Sequence, residues 1–264
     1  GHVYYDRAQG REFKWSPEDL NATTILKRLS SYGFKTASVL FPVSRGGDIM
    51  VTKDHAPDFV ERELGPIPSD VVERDNWALR AALLVLEKEE PDVLLLHFKS
   101  VDAIGHEYGP ESPEVVNALE HVDSLIGQLM DWLNSRGLLA HTLFIITADH
   151  GEQLGQHQFY GHCGTHEAVT FVPIILWCPS VLPGPRRESG FVQHADIAPT
   201  VLDLIGAEPH PEMTGTSLMR YLSGEVPYPD QIVIEDQRQR AIISGRYKLI
   251  EEISGRRALY DLEA

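Results

Sequence analysis

The sequence predicts an α/β fold with three layers, α/β/α, around a mostly parallel central sheet, followed by a small C-terminal antiparallel subdomain. Apolar runs of strand length alternate with amphipathic helical stretches through most of the chain, a pattern typical of parallel sheets. From about Ile232 onward, short strands separated by turns replace that pattern. We therefore expect an α/β core over residues 1–206 and a small α+β subdomain over residues 207–264, packed on the core.

Three helices can be placed from the sequence. Two are expected to begin at Ser16 and Ser112, because a Ser side chain accepts a hydrogen bond from the free amides of a first helical turn, and another, between these two, is expected to begin at roughly Asp70. The second helix is expected to run to Glu89, and the third to stop at Gly137, where glycine suits the end of a helix.

Three continuous apolar runs have the length of strands, at residues 93–98, 143–148 and 172–177. They lack the alternation of polar and apolar residues that marks a half-exposed strand. Such runs suit strands that helices cover on both faces, as in a central parallel sheet. We therefore expect buried strands at all three places.

Composition limits the partners that the chain can have. Of its 264 residues, 42% are apolar and 23% charged, with a formal net charge of −16. An acidic surface argues against duplex nucleic acid and anionic membranes, and no apolar run approaches the roughly 20 residues of a membrane span. A small anionic substrate stays open, because a bound divalent metal can reverse the local field. The two cysteines do not indicate in which compartment the protein resides. The sequence also leaves open whether the chain forms a homo-oligomer.

Two pairs of acid and histidine follow two of the expected strands. Asp102 and His106 come after the first run, and Asp149 and His150 follow the second. Ligands of parallel sheets bind beyond the carboxyl ends of the strands, so we expect both pairs at one edge of one sheet. Carboxylate oxygen and imidazole nitrogen together suit zinc, manganese and related ions. The alternative, helix-capping acids and surface histidines, is weakened because the pattern occurs twice.

Two further histidines lie before the third expected strand. His162 and His166 stand in a glycine-rich stretch that leads to residues 172–177. From the residues alone, either could be a further metal ligand or a contact to an anion.

These motifs resemble those of the alkaline phosphatase superfamily. Residues 94–151 are similar to the type I phosphodiesterase and nucleotide pyrophosphatase branch, with D-x-x-G-H-x-x-G-P at residues 102–110 and D-H-G at 149–151. Residues 149–179 resemble the sulfatase branch, and residues 196–202 match its D-x-x-P-T-x-L helix. The resemblance covers essentially the whole chain, and its motifs are specific to the superfamily but not to a substrate.

The resemblance implies a role for each ligand-type residue. Asp102 and His106 would bind one metal ion together with His162, with His166 as the alternate ligand or an anion contact. Asp149 and His150 would bind a second ion. The implied cofactors are two divalent metal ions, zinc first, with manganese or calcium as alternatives. A Ser or Thr nucleophile, and an early Asp for the second ion, are expected upstream of Gly1, so this sequence would lack its nucleophile and part of one metal site.

The resemblance further implies a metal-dependent hydrolase of phosphate esters, of phosphodiesterase or phosphatase type, acting on a small anionic substrate. A sulfatase that uses one calcium ion is the near alternative, although the D-x-x-G-H pair supplies ligands that a one-calcium site does not need. A phosphosugar mutase is disfavoured because no inserted second domain is visible. From another class, the chain could be a non-catalytic binding protein that has lost its nucleophile.

Overall fold

The computed structural model describes residues 5–6, 11–12, 23–109, 111–154, 160–182, 184–236 and 238–263. Its contacts divide the chain into two compact units, each described here by itself. The core unit contains residues 1–2, 13–162 and 171–184, and the C-terminal unit contains residues 3–12, 163–170 and 185–264. The expected domain boundary near residue 206 stays a prediction.

Helices and strands alternate through the core unit, and an antiparallel sheet ends the chain. The described helices are α1 (Ile25–Ser31), α2 (Asp58–Leu64), α3 (Val71–Glu89), α4 (Ser100–Tyr108), α5 (Pro113–Ser135), α6 (Glu167–Thr170), α7 (Ile197–Leu204) and α8 (Leu218–Leu222). The described strands are β1 (Tyr5–Asp6), β2 (Arg11–Glu12), β3 (Thr36–Val39), β4 (Ile49–Val51), β5 (Val93–Leu96), β6 (Phe144–Thr147), β7 (Gln153–Leu154), β8 (Tyr160–Gly161), β9 (Ile174–Trp177), β10 (Gln231–Glu235), β11 (Gln239–Ser244), β12 (Tyr247–Glu252) and β13 (Arg257–Asp261).

A parallel sheet lies at the centre of the core unit, in the order β4-β3-β5. Its middle strand is fully buried, with Ala37 and Val39 both at 0% exposure. The apolar face of α3 covers this sheet through residues that include Trp77, Ala81 and Val85. The prediction of a mixed α/β fold with a parallel sheet and a separate antiparallel sheet is therefore confirmed.

The strands expected at residues 143–148 and 172–177 are β6 and β9, and they pair with each other. The pairing is antiparallel, with Phe144 opposite Trp177 and Thr147 opposite Ile174. Within the described residues, β6 shares no hydrogen-bonded ladder with β5. We expected both acid–histidine pairs at one edge of one sheet. They instead follow strands of different hydrogen-bonded sheets, because β6 pairs with β9.

Two of the three helix starts are confirmed. The carboxylate of Asp70 accepts hydrogen bonds from the amides of Val72 and Glu73, and α3 begins immediately after it. The hydroxyl of Ser112 accepts from the amide of Val115 at the start of α5. The expected start at Ser16 lies outside the described residues.

The C-terminal unit contains a four-stranded antiparallel sheet in the order β10-β11-β12-β13. One of its faces carries buried apolar side chains, among them Ile232, Ile243 and Ile250. This sheet matches the short strands expected from about Ile232 onward. None of the described helices is long and apolar enough to cross a membrane.

The same buried face also carries one charged side chain. Lys248 on β12 is 0% exposed, and its ammonium donates to the Glu167 carboxylate at 2.6 Å. Burial lowers the pKa of Lys248, while the charge of Glu167 acts in the opposite direction. The carboxylate therefore stabilises a charge that water cannot reach.

Removing this carboxylate should destabilise the protein. We expect Glu167→Ala to lower the free energy of unfolding by about 2 kcal/mol, because a buried ammonium would lose its counter-charge. Urea denaturation followed by circular dichroism measures the change.

An exposed ion pair on the same sheet gives the matched control. Glu251 lies 2.7 Å from Arg257, and both side chains are well exposed. We expect Glu251→Ala to cost about 0.5 kcal/mol or less, because water screens exposed pairs. Equal losses from the two variants would show that the buried pair contributes no more than a surface pair.

Candidate metal centre

The short helix α4 brings Asp102 and His106 to the same side, because residues four apart are neighbours on a helix. The Nε2 atom of His106 lies 3.2 Å from Oδ1 of Asp102. Both side chains are partly exposed. The helix follows β5 after a short connection, so both groups lie beyond the carboxyl end of a parallel strand, where α/β folds bind ligands.

His162 meets this pair from a different part of the core unit. It directly follows β8, whose last residue, Gly161, has a φ of 93°, a left-handed conformation that favours glycine. Ligand atoms of Asp102, His106 and His162 all lie within 4.8 Å of one another. The rings of His106 and His162 meet edge-on, with centroids 4.9 Å apart. One carboxylate and two imidazoles therefore surround one small volume.

A second group of ligand atoms adjoins the first. The ring of His150 stacks on that of His162 with centroids 4.2 Å apart, and its side chain is only 13% exposed. Ligand atoms of Asp102, His150 and Glu152 again lie within 4.8 Å of one another. Asp102 belongs to both groups, so it is the residue that connects them.

Asp149 is placed differently from its neighbour. Its side chain is 51% exposed, with Oδ1 3.7 Å from Nε2 of His150, and it joins neither group of ligand atoms. Burial acts to raise the pKa of Asp149, but favourable charges, that of His150 foremost, outweigh it and hold the pKa below its ordinary value. The carboxylate is therefore ionised and adjacent to the cluster. Its role as a ligand of a second metal ion stays a prediction.

His97 lies directly after β5 and faces the same region. Burial is the largest influence on its imidazole and lowers the pKa below 6.5, and the charge of Asp149 acts against this shift. The backbone amide of His97 donates to the carbonyl of Val39 at 3.2 Å, which continues the pairing of β5 with β3. At neutral pH this ring is therefore neutral.

A positive side chain stands at the rim of the cluster. The ammonium of Lys99 lies 3.5 Å from Oδ2 of Asp102, and half of this side chain is exposed. It partly offsets the carboxylate charge, and it remains accessible to an anion from solvent.

The donor set fits a divalent metal ion. Oδ1 of Asp102 is shielded from solvent and forms no hydrogen bond of good geometry with any described residue, although His106 is near. A buried carboxylate oxygen without a donor is costly, and a cation would satisfy it. Carboxylate and imidazole ligands in this proportion suit zinc or manganese.

His166 is the one predicted site residue placed in the other unit. It is buried in the C-terminal unit, with its ring edge-on to that of Tyr260 at a centroid distance of 5.8 Å. Its carbonyl accepts the amides of Val169 and Thr170 in α6. Its suggested role as an alternate ligand or anion contact stays a prediction.

Sequence reasoning missed three residues of this region, Glu152, His97 and Lys99. Glu152 completes the D-H-G-E segment and could have been found as its third ligand-type residue, two positions after His150. His97 stands at the end of an apolar strand run, where a polar residue commonly faces a site. Nothing in the local pattern marks Lys99.

The chain is similar to known proteins in sequence and in fold. The family described as type I phosphodiesterase / nucleotide pyrophosphatase matches residues 1–162, a range that includes every residue of both ligand groups. A solved structure of a 2-O GAG sulfatase superposes with a TM-score of 0.72 over 92% of this chain and 68% of that chain, at 18% identity. That similarity shows a shared fold.

Two curated relatives are similar in sequence. A 2,3-bisphosphoglycerate-independent phosphoglycerate mutase of Rhodopirellula baltica is 35% identical over 172 residues, which are 61% of this chain and 30% of the relative. The catalytic subunit of GPI ethanolamine phosphate transferase 2 of Homo sapiens is 30% identical over 209 residues, which are 78% of this chain and 20% of the relative. The chain thus spans less than a third of the length of these relatives.

Because Asp102 belongs to both groups, its loss should weaken metal binding more than the loss of His106. We expect Asp102→Asn to weaken zinc binding at both groups and His106→Ala at one, each by about 10-fold or more. Isothermal titration of zinc into metal-free protein, with metal content checked by mass spectrometry, measures both changes.

Two exposed residues provide matched controls for these substitutions. Asp131 lies on α5 and His141 lies on the turn before β6, and both are exposed. Asp131→Asn and His141→Ala should bind zinc as the wild type does. Wild-type zinc binding by Asp102→Asn would contradict the metal centre.

The neutral state of His97 should make the metal-free protein sensitive to acid. The unfolded chain binds a proton near pH 6.5 and the folded chain only at lower pH, so the free energy of unfolding should fall as the pH drops below 6.5. One such proton contributes at most about 1.4 kcal/mol per pH unit. Denaturant titrations between pH 7 and pH 5 should show a smaller decrease for His97→Asn, and the wild-type decrease for His141→Asn. Equal slopes for all three proteins would refute the assignment.

Proposed function

The chain belongs to the type I phosphodiesterase / nucleotide pyrophosphatase family, within the alkaline phosphatase superfamily, and from this premise we propose that it is a metal-dependent hydrolase of phosphate esters. The observation that carries the proposal is the convergence of Asp102, His106 and His162 within 4.8 Å. We further propose two divalent ions, zinc first, since Asp102 also belongs to a second ligand group with His150 and Glu152.

The ligand side chains of the centre can be assigned to the two proposed ions. His106 and His162 would hold one ion and His150 and Glu152 the other, while Asp102 contributes to both. Asp149, next to His150, stays a predicted further ligand of the second ion. Lys99 would attract the anionic ester from solvent, since its ammonium is the positive charge at the rim. On a chain with a net charge of −16, such local positive charge is needed to draw an anion to the site.

A divalent ion bound here supplies electrostatic stabilisation of a phosphoryl group and a lower pKa for the attacking oxygen. The protein's own contribution is to hold the ligands in place before the substrate arrives. The neutral ring of His97 supports this arrangement. A positive charge on this ring, close to Asp149, would repel a metal cation bound at the centre. The names of the two curated relatives refer to phosphate compounds and that of the solved structure refers to a sulfatase, so the choice between the two esters rests on the ligand atoms.

A sulfatase that uses one calcium ion is the second candidate, and one observation favours it. The group of Asp102, His150 and Glu152 contains two carboxylates, and calcium prefers oxygen ligands. The two imidazoles of His106 and His162 favour zinc instead, since nitrogen ligands suit a softer ion. We therefore place the phosphate ester first.

A set of three chromogenic esters separates these candidates. We expect the full-length protein, with zinc or manganese, to turn over bis-p-nitrophenyl phosphate or p-nitrophenyl phosphate faster than p-nitrophenyl sulfate. Asp102→Ala should lower kcat/KM for the phosphate ester by on the order of a thousandfold, because charge stabilisation in the transition state is lost.

Each alternative has its own outcome in the same assay. Turnover of the sulfate with calcium alone would favour the sulfatase. Zinc binding without turnover of any of the three esters would favour a non-catalytic binding protein. Full diesterase activity in Asp102→Ala, with Asp131→Ala as the control for an exposed acid, would contradict the two-metal centre.

A further inference from the structure

A buried acid outside the ligand groups holds the helix that carries two of the ligands. Asp75 on α3 is 1% exposed. Its Oδ1 accepts the backbone amide of Lys99 at 2.8 Å, and its Oδ2 accepts the backbone amide of Ser100 at 3.0 Å. These two amides stand at the start of α4, so both oxygens of one carboxylate bind one helix terminus.

The start of α4 has no cap of its own. Lys99, its N-cap residue, contributes no side-chain hydrogen bond, and the first intrahelical bond runs from the amide of Ala103 to the carbonyl of Lys99. Amides before that point need partners from elsewhere. A carboxylate also interacts favourably with the positive end of the helix dipole. Asp75 therefore replaces the missing cap from a neighbouring helix.

The position of this contact matters for the metal centre. Asp102 lies two residues after Ser100, within the first turn of α4, and His106 lies one turn further along. Any rotation or fraying of the first turn would move the Asp102 carboxylate, which both ligand groups share. A side chain that fixes this turn therefore fixes the geometry of both groups.

Capping a helix with the buried carboxylate of Asp75 has a cost in free energy. Burying a carboxylate costs free energy unless hydrogen bonds and charge compensate, and no Lys or Arg in the described part of the chain forms an ion pair with Asp75. Ser or Asn at position 99 would cap the same helix with less burial. The carboxylate differs from such a cap because α3, which carries it, packs on the central sheet and is held firmly.

We propose that Asp75 is a positioning residue of the metal centre, which acts by clamping the first turn of α4 to α3 and so fixes Asp102 for metal binding. This proposal rests on the metal centre of the proposed function. Asp75 itself contacts neither a metal ion nor the substrate.

A second capping carboxylate in the same helix makes the control. Asp70 also accepts two backbone amides, at 3.0 and 2.9 Å, but it caps α3, which carries no proposed ligand. Asp75→Asn and Asp70→Asn are isosteric, and each removes one carboxylate charge at a helix start. Asp75→Asn must lose one of its two hydrogen bonds, because these end on different oxygens, whereas both bonds of Asp70 end on Oδ1, which Asn retains. Only the first variant should affect the metal.

The experiment measures two quantities on the wild-type chain and on both variants. Hydrogen exchange of the metal-free chain, read on peptides that cover residues 99–108, reports on the start of α4. Titration of zinc alone, well below the melting temperature of the least stable variant, reports on the centre. We expect Asp75→Asn to speed exchange of these peptides by about 10-fold and to weaken zinc binding by about 10-fold or more. Asp70→Asn should change zinc affinity by less than about twofold.

Every outcome decides the proposal. Faster exchange with wild-type zinc affinity would overturn it, since Asp75 would then be a cap of the fold alone. Unchanged exchange would overturn it, because α4 would be held by other contacts. Weaker zinc binding by Asp70→Asn to the same extent would overturn it, since the loss of any carboxylate charge at a helix start would then have that effect. If the wild-type chain binds no zinc, both the proposed function and the positioning role of Asp75 are contradicted, because there is no metal centre to position. If it binds zinc but turns over no ester, only the proposed function is contradicted.

Discussion

The centre of this protein depends on one electrostatic constraint, the sharing of Asp102 between two groups of ligand atoms. Its carboxylate forms one group with the imidazoles of His106 and His162. It forms a second group with the imidazole of His150 and the carboxylate of Glu152, and the ligand atoms within each group lie within 4.8 Å of one another. One of its oxygens is buried without a hydrogen bond from the described residues. Such an arrangement is costly unless a cation occupies it. The fold around it keeps this costly geometry in place, from the parallel sheet to the capped start of α4.

The fold was largely accessible from the sequence, because its elements follow local rules. A capping Ser marked the start of α5, and the apolar runs marked β5, β6 and β9. The pairing of strands was not accessible in the same way. An apolar run shows that a strand is buried but not which neighbour completes its hydrogen bonds, so the antiparallel pairing of β6 with β9 could not be predicted.

The site was accessible where helical spacing or a family motif marked its residues. Asp102 and His106 are one helical turn apart, which the spacing alone predicts, whereas His162, which lies near them in space, was expected as their partner through the family resemblance. Glu152 and Asp75 depend on tertiary packing. Glu152 meets Asp102 from a distant segment, and Asp75 reaches the start of α4 across 24 residues of sequence. No local pattern encodes these contacts, because they arise only when α3, α4 and the segment after β6 pack in one unit.

The central claim is that Asp102 binds a divalent ion together with His106 and His162. Anomalous diffraction from zinc-loaded crystals, recorded on both sides of the zinc absorption edge, tests it most directly. A zinc ion held by these three side chains should give a peak at about 2.0–2.2 Å from a carboxylate oxygen of Asp102 and from one ring nitrogen of each histidine. Zinc peaks found only on other surface residues, with none within bonding distance of Asp102, would contradict it.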